Sequence, residues 1–110
     1  MPSEEHQRRM ASNEGVFREV NEGIERGQWP GEEAKPVGFR CECARLGCNL
    51  LVELRLDQYE QVRSDPRHFL MIPGHELPEV ESVVRREPTY VVVEKRDEAG
   101  EQAEQSDPRT

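Results

Sequence analysis

The sequence predicts a small α+β domain stabilised by zinc, with short antiparallel strands, a short central helix and an N-terminal helical arm. Three observations carry that expectation. Three cysteines crowd between two strand-length apolar segments, a short helical pattern follows them, and a β-branched run closes the folded stretch. At 110 residues, 34% hydrophobic and 35% charged, the chain has room for one domain whose apolar residues must be concentrated to form a core.

Residues 1–36 read as an amphipathic helix and a linker. Val16, Phe17, Val20 and Ile24 recur at helical spacing after a candidate cap at Ser12 or Asn13. Gly15, Gly23 and Gly27 each cost about 1 kcal/mol relative to Ala in a helix, so this arm needs a packing partner. The Pro- and Gly-containing stretch from Trp29 to Pro36 ends it, with Trp29 reading as a packing anchor for the arm.

Residues 37–96 read as the metal-binding core. Segment 37–40 delivers the chain into the cysteines and 50–54 leaves them, which makes a hairpin whose tip can grip a metal. Asp57 and Glu60 fit a capping box for a short helix with Leu56, Tyr59 and Val62 on one face, stopped by Asp65-Pro66. Residues 69–72 form an apolar strand ending at Pro73-Gly74. Residues 79–86 suit either a helix after Pro78 or a strand facing the next run, and the hairpin is the preferred reading. The β-branched run 90–93 is the clearest strand, entered through the turn Glu87-Pro88-Thr89. Beyond it, 97–110 has no apolar residue larger than Ala and reads as a disordered acidic tail.

Net charge is −8, and it belongs to the ends: eight acids and five bases in 1–35, ten and nine in 36–96, five and one in 97–110. This balance disfavours the basic footprint of a nucleic-acid binder and attachment to an anionic membrane. Arg85-Arg86 is offset by Glu79, Glu81 and Glu87. The chain has no 18-residue apolar run, and its first 15 residues have no apolar leader core. The expected setting is cytoplasmic, with an unidentified protein as partner and an open oligomeric state.

The chemistry lies in Cys41-Glu42-Cys43 and Cys48, a C-x-C-x4-C pattern in which Gly47 can take the positive φ that turns the third thiol toward the first two. An odd, clustered set of thiols points to a reducing compartment and to metal binding rather than a disulfide framework. Closed zinc sites take four protein ligands, and an imidazole is a common complement to three thiolates. His75, in the Pro-Gly-His-Glu loop, is the chosen fourth ligand for Zn2+; His68 is the alternative, and His6 belongs to the arm. Glu76 or a backbone carbonyl would orient the second ring nitrogen.

Three other readings use the same residues. A low-pKa thiolate at Cys41 or Cys43 beside Arg40 or Arg45 would make a redox sensor. A Cys3His iron–sulfur cluster is the second. CDGSH-type proteins share the C-x-C opening but keep the third Cys and the His close together, whereas Cys48 and His75 are 27 residues apart. The third is an open zinc site without His75, with Glu76 as base, a hydrolase arrangement. Neither a Gly-rich phosphate loop nor a Ser-His-Asp order supports an enzyme.

The ordered string Phe39-Arg40-Cys41-Glu42-Cys43 with Cys48, Tyr59-Glu60, Val62-Arg63, Phe69-Leu70, Pro73-Gly74-His75-Glu76 and Tyr90-Val91-Val92-Val93-Glu94-Lys95 resembles a group of small, uncharacterised actinobacterial proteins. The resemblance covers about residues 37–95. It implies a module that is a unit in itself and brings no activity with it. Where those proteins often place Thr before the helix, this chain has Arg55, which leaves the capping there to Asp57.

Overall fold

The computed structural model describes residues 4–28, 31, 34–43, 45 and 47–109, with side chains from residue 14 onward. Trp29 and the side chain of His6 lie outside the described residues. The elements are α1 (Glu4–Arg26), β1 (Val37–Arg40), β2 (Leu51–Leu54), α2 (Leu56–Arg63), β3 (His68–Met71), β4 (Glu81–Arg86), β5 (Val91–Lys95) and α3 (Asp97–Gln105). This is the α+β class expected from the sequence. No helix among the described residues is long and apolar enough to cross a membrane.

The strands form two antiparallel sheets. In the first, β1 pairs with β2, Val37 opposite Leu54 and Arg40 opposite Leu51. The second has the order β3-β5-β4, with His68 opposite Glu94 and Glu81 opposite Lys95. Residues 81–86 are thus strand, as the preferred hairpin reading has it, with a bulge between Val83 and Arg85 that leaves Val84 exposed. Alternation along the strands sends Leu70 and Val92 to one face and Phe69, Met71, Val91 and Val93 to the other. The first face packs with Phe39, Val52, Leu54, Tyr59, Val62 and Tyr90. The second packs with Cys41, Cys43 and Ala103. The Phe39 and Tyr59 rings stack 4.3 Å apart at the centre of the first cluster.

Three sequence expectations are corrected. First, α1 begins at Glu4 and runs through Ser12 and Asn13. Neither residue starts the helix, because each costs only a fraction of a kcal/mol in a helix interior. The buried stripe of α1 is polar, comprising Glu14, Arg18, Asn21 and Glu22, while Val16 and Val20 are 53% and 40% exposed. The polar side wins because each group meets a partner from a distant segment. Arg18 donates to the carbonyls of Pro66 (2.6 Å) and Ala103 (2.7 Å) and lies over the Phe69 ring. Glu22 accepts from Arg63 at 2.6 Å and from Arg109 at 2.8 Å. Glu14 pairs with Lys95, which also pairs with Glu81.

Second, the N-terminal cap of α2 lies two residues before the expected one. Arg55 stands at the cap, its backbone N–H donating to the Gln58 side chain at 2.8 Å, and Asp57 holds the Arg55 guanidinium instead of capping. The predicted face of Tyr59 and Val62 is buried.

Third, 97–105 is helix rather than disordered tail. Large apolar residues are not what docks it. Gly100 packs so closely that a Cβ there would lie 2.8 Å from the Lys95 carbonyl oxygen, and Ala103 is buried beside it. Asp107, just beyond the helix, pairs with Arg63 in the interior.

Candidate metal centre

Segment 41–43 continues β1 past its pairing with β2 and lies along the outer edge of β3. The Glu42 N–H donates to the Leu70 carbonyl at 2.7 Å, and the Ile72 N–H donates to Cys41 Sγ at 3.2 Å. Side chains two residues apart on an extended segment share a face, so Cys41 and Cys43 both enter the cluster with Phe69, Met71 and Val93 and are buried. The third thiol arrives through a tight return. Gly47 has φ +80°, the left-handed region its lack of a Cβ permits, and Cys48 N–H donates to the Arg45 carbonyl at 3.2 Å.

His75 comes from another element. After β3, Ile72-Pro73-Gly74-His75 closes with the His75 N–H donating to the Ile72 carbonyl at 3.0 Å, and Gly74 has φ +92°. Proline at the second position and a positive-φ glycine at the third define a type II turn. Arg45 donates to the Gly74 carbonyl at 2.8 Å, and Arg40 donates to that of Cys48 at 3.0 Å. Arg45 thereby ties the cysteine loop to the histidine turn, and Arg40 closes the cysteine loop on itself.

The ligand atoms of Cys41, Cys43, Cys48 and His75 all lie within 4.8 Å of one another. His75 Nδ1 is 3.6 Å from Cys41 Sγ and 3.7 Å from Cys48 Sγ. Tetrahedral zinc with bonds of about 2.3 Å to sulfur and about 2.05 Å to nitrogen separates such a pair by about 3.6 Å, so the donor set fits that ion. Burial raises the pKa of the Cys41 and Cys43 thiols. These are therefore not the low-pKa thiolates a free redox sensor needs; a bound cation is what would hold them ionised. Burial and the nearby Arg45 lower the pKa of His75, which favours the neutral imidazole that ligation requires.

Four positions named from the sequence therefore come together. His68 does not join them; it faces Asp65 and Glu94 on the other side of the sheet. Glu76 does not orient the His75 ring either, because its carboxylate accepts the Gly74 N–H at 2.9 Å. Sequence reasoning missed Glu42, which is fully buried between the two cysteines. Its carboxylate accepts from Asn21 (2.8 Å), from the Tyr59 hydroxyl (2.7 Å) and from the Leu70 N–H (2.9 Å), tying the loop to α1, α2 and β3. Burial raises its pKa against those three donors. The one available signal was a charged residue standing between two buried thiols. Comparison with protein-family models, characterised proteins and solved structures gives no match to this chain.

Proposed function

We propose that this protein is a small cytoplasmic zinc-binding module in which Cys41, Cys43, Cys48 and His75 hold one Zn2+ as a structural site, and in which the folded unit serves protein interaction or regulation. The convergence of four ligand atoms within 4.8 Å carries the metal reading. Three thiolates with one imidazole are a donor set suited to zinc or iron rather than to the oxygen-seeking Mg2+ and Ca2+. A closed shell of four protein ligands leaves no position for water, so the ion supplies folding free energy and no hydrolysis. Glu76, which a hydrolytic site would use as base, is committed to its own turn.

Reduced thiols suit a reducing compartment. A protein partner is favoured over nucleic acid by the net charge of −8 and by exposed apolar side chains at Val16, Val20, Leu50 and Leu51. The likeness to small actinobacterial proteins runs through these same ligand residues and supports a self-contained module.

Metal analysis of untagged protein by mass spectrometry, with an absorbance scan, tests this reading. The expected result is one colourless zinc per chain, lost in Cys48→Ser and in His75→Ala together with a fall in the unfolding midpoint. Iron with visible absorbance would replace zinc by a Cys3His cluster. Protein without metal would leave thiol redox chemistry as the function to pursue.

A further inference from the structure

We propose a second, oxygen-rich divalent-cation site formed by Asp65, His68 and Glu94, suited to Mn2+, Fe2+ or Zn2+ and separate from the thiolate centre. One ligand atom from each of the three residues lies within 4.8 Å of the other two. His68 Nε2 is 3.6 Å from Asp65 Oδ2 and 3.9 Å from Glu94 Oε1. Ligands bound at about 2.1 Å in tetrahedral or octahedral geometry stand about 3.0–3.4 Å apart, so the two carboxylates need to close on the imidazole by about 0.2–0.9 Å. Their side chains are 22% exposed for His68 and 41% for each carboxylate, which leaves them free to make that adjustment.

The fold has already placed these side chains. His68 and Glu94 are cross-strand partners on β3 and β5, so both project from the same face of the sheet. Asp65 sits in the turn entering β3, where its Oδ1 accepts the Arg67 N–H at 2.8 Å and its carbonyl accepts the His68 N–H at 3.0 Å. That turn leaves Oδ2 directed at the imidazole.

Charge separates this group from the acids that are tied up in ion pairs. Glu14, Glu22, Glu60, Glu81 and Asp107 each pair with a lysine or arginine. Among the described residues, Asp65 and Glu94 form ion pairs with His68 alone. Nearby Arg67 pairs with Glu104 and reaches Glu94 only as a weaker electrostatic neighbour. Two carboxylates facing one imidazole carry charge −2 when the ring is neutral, which a divalent cation balances. A histidine with two carboxylates selects borderline and hard divalent ions, and three ligands leave positions open for water. His68 also lines a groove of about 230 Å³ with Gln61, Ser64 and Arg85, which gives water or a small ligand a path to the ion.

The test adds Mn2+ to the full chain with its thiolate site already loaded and maps paramagnetic broadening of backbone amide signals. Mn2+ prefers oxygen and nitrogen to thiolate, so the cysteine centre does not compete. Broadening centred on residues 65–68 and 94, with affinity weakened about tenfold or more in both His68→Gln and Glu94→Gln, is the expected result. Partial exposure of both side chains makes these substitutions compatible with folding, and the unchanged amide spectrum of each variant verifies it. Broadening spread over the acidic surface of α3, or affinity unaltered in either folded variant, would overturn the proposal.

Discussion

The two faces of the three-stranded sheet are filled by opposite chemistry. On one, Leu70 and Val92 meet Phe39, Tyr59 and Val62 in a hydrocarbon core. On the other, Cys41, Cys43 and Ala103 pack with Phe69, Met71, Val91 and Val93, and the buried Arg18 of α1 lies over the Phe69 ring. Hydrocarbon packing is non-directional and tolerates many arrangements, whereas a buried polar or charged group needs particular partners. The polar side therefore holds α1 and α3 in one register: Arg18 meets the Pro66 and Ala103 carbonyls, Glu22 meets Arg63 and Arg109, and Glu14 meets Lys95. The hydrocarbon face supplies most of the cohesion, and the ionic face supplies the placement.

The largest expected effect comes from breaking the ionic side at its centre. Lys95→Met leaves Glu14 and Glu81 facing each other at 0% and 3% exposure and should destabilise the fold by about 4 kcal/mol in urea unfolding. Adding Glu14→Leu and Glu81→Leu to the same chain should recover most of that loss, since an apolar triad needs no compensation. Failure of the triple variant to recover would mean that the ions contribute cohesion as well as placement. Next in size, Leu70→Ala on the hydrocarbon face should cost about 3 kcal/mol by the same measurement, with no alternative pairing able to restore it.

The smallest effect lies at the solvent edge of the ionic side, where Glu25 and Glu60 share Arg109. Burial and the neighbouring Glu60 raise the Glu25 pKa to about 7, while the Arg109 hydrogen bond lowers that of Glu60 to about 2. Between about pH 4.5 and 7 the folded chain keeps a proton on Glu25 that the unfolded chain releases, so this group opposes folding increasingly as pH rises through that window. Glu60 acts in the other direction. Its contribution is complete above about 4.5 and is lost as pH falls toward 2. Glu25→Gln should accordingly stabilise the protein by about 0.5–1 kcal/mol at pH 8, after allowance for solvent screening, and leave stability unchanged near pH 5, as read from thermal unfolding at the two pH values.

The contrast between the faces also explains what could be read in advance. Strand periodicity in 37–40, 69–72 and 90–93 and the helical spacing of Tyr59 and Val62 are local signals of apolar burial, and each contributes buried residues to the core: Phe39, Phe69 to Met71, Tyr90 to Val93, Tyr59 and Val62. The convergence of Cys41, Cys43 and Cys48 with His75 was legible because glycines and a Pro-Gly turn announce where the backbone reverses. The polar stripe of α1 was not legible. Glu14 meets Lys95, Arg18 meets Ala103 and Arg63 meets Asp107, and nothing within one helix reveals a counter-ion that far along the chain. For the same reason the sequence of α3 reads as a disordered tail. Its docking rests on the absence of a side chain at Gly100 and on a charge pair, neither of which raises hydrophobicity.

Segment 41–43 has a second consequence, for solubility. It occupies the outer edge of β3 through the Glu42 N–H, the Glu42 carboxylate and Cys41 Sγ, which together take up the Leu70 carbonyl, the Leu70 N–H and the Ile72 N–H. Beneath it runs Phe69-Leu70-Met71-Ile72, a flat apolar strand carrying neither the charge nor the proline by which exposed edges are usually protected. The cysteine loop is thus a cover as well as a ligand carrier. Lifting it would present a bare strand edge to the next molecule, which is the kind of edge through which chains pair with one another.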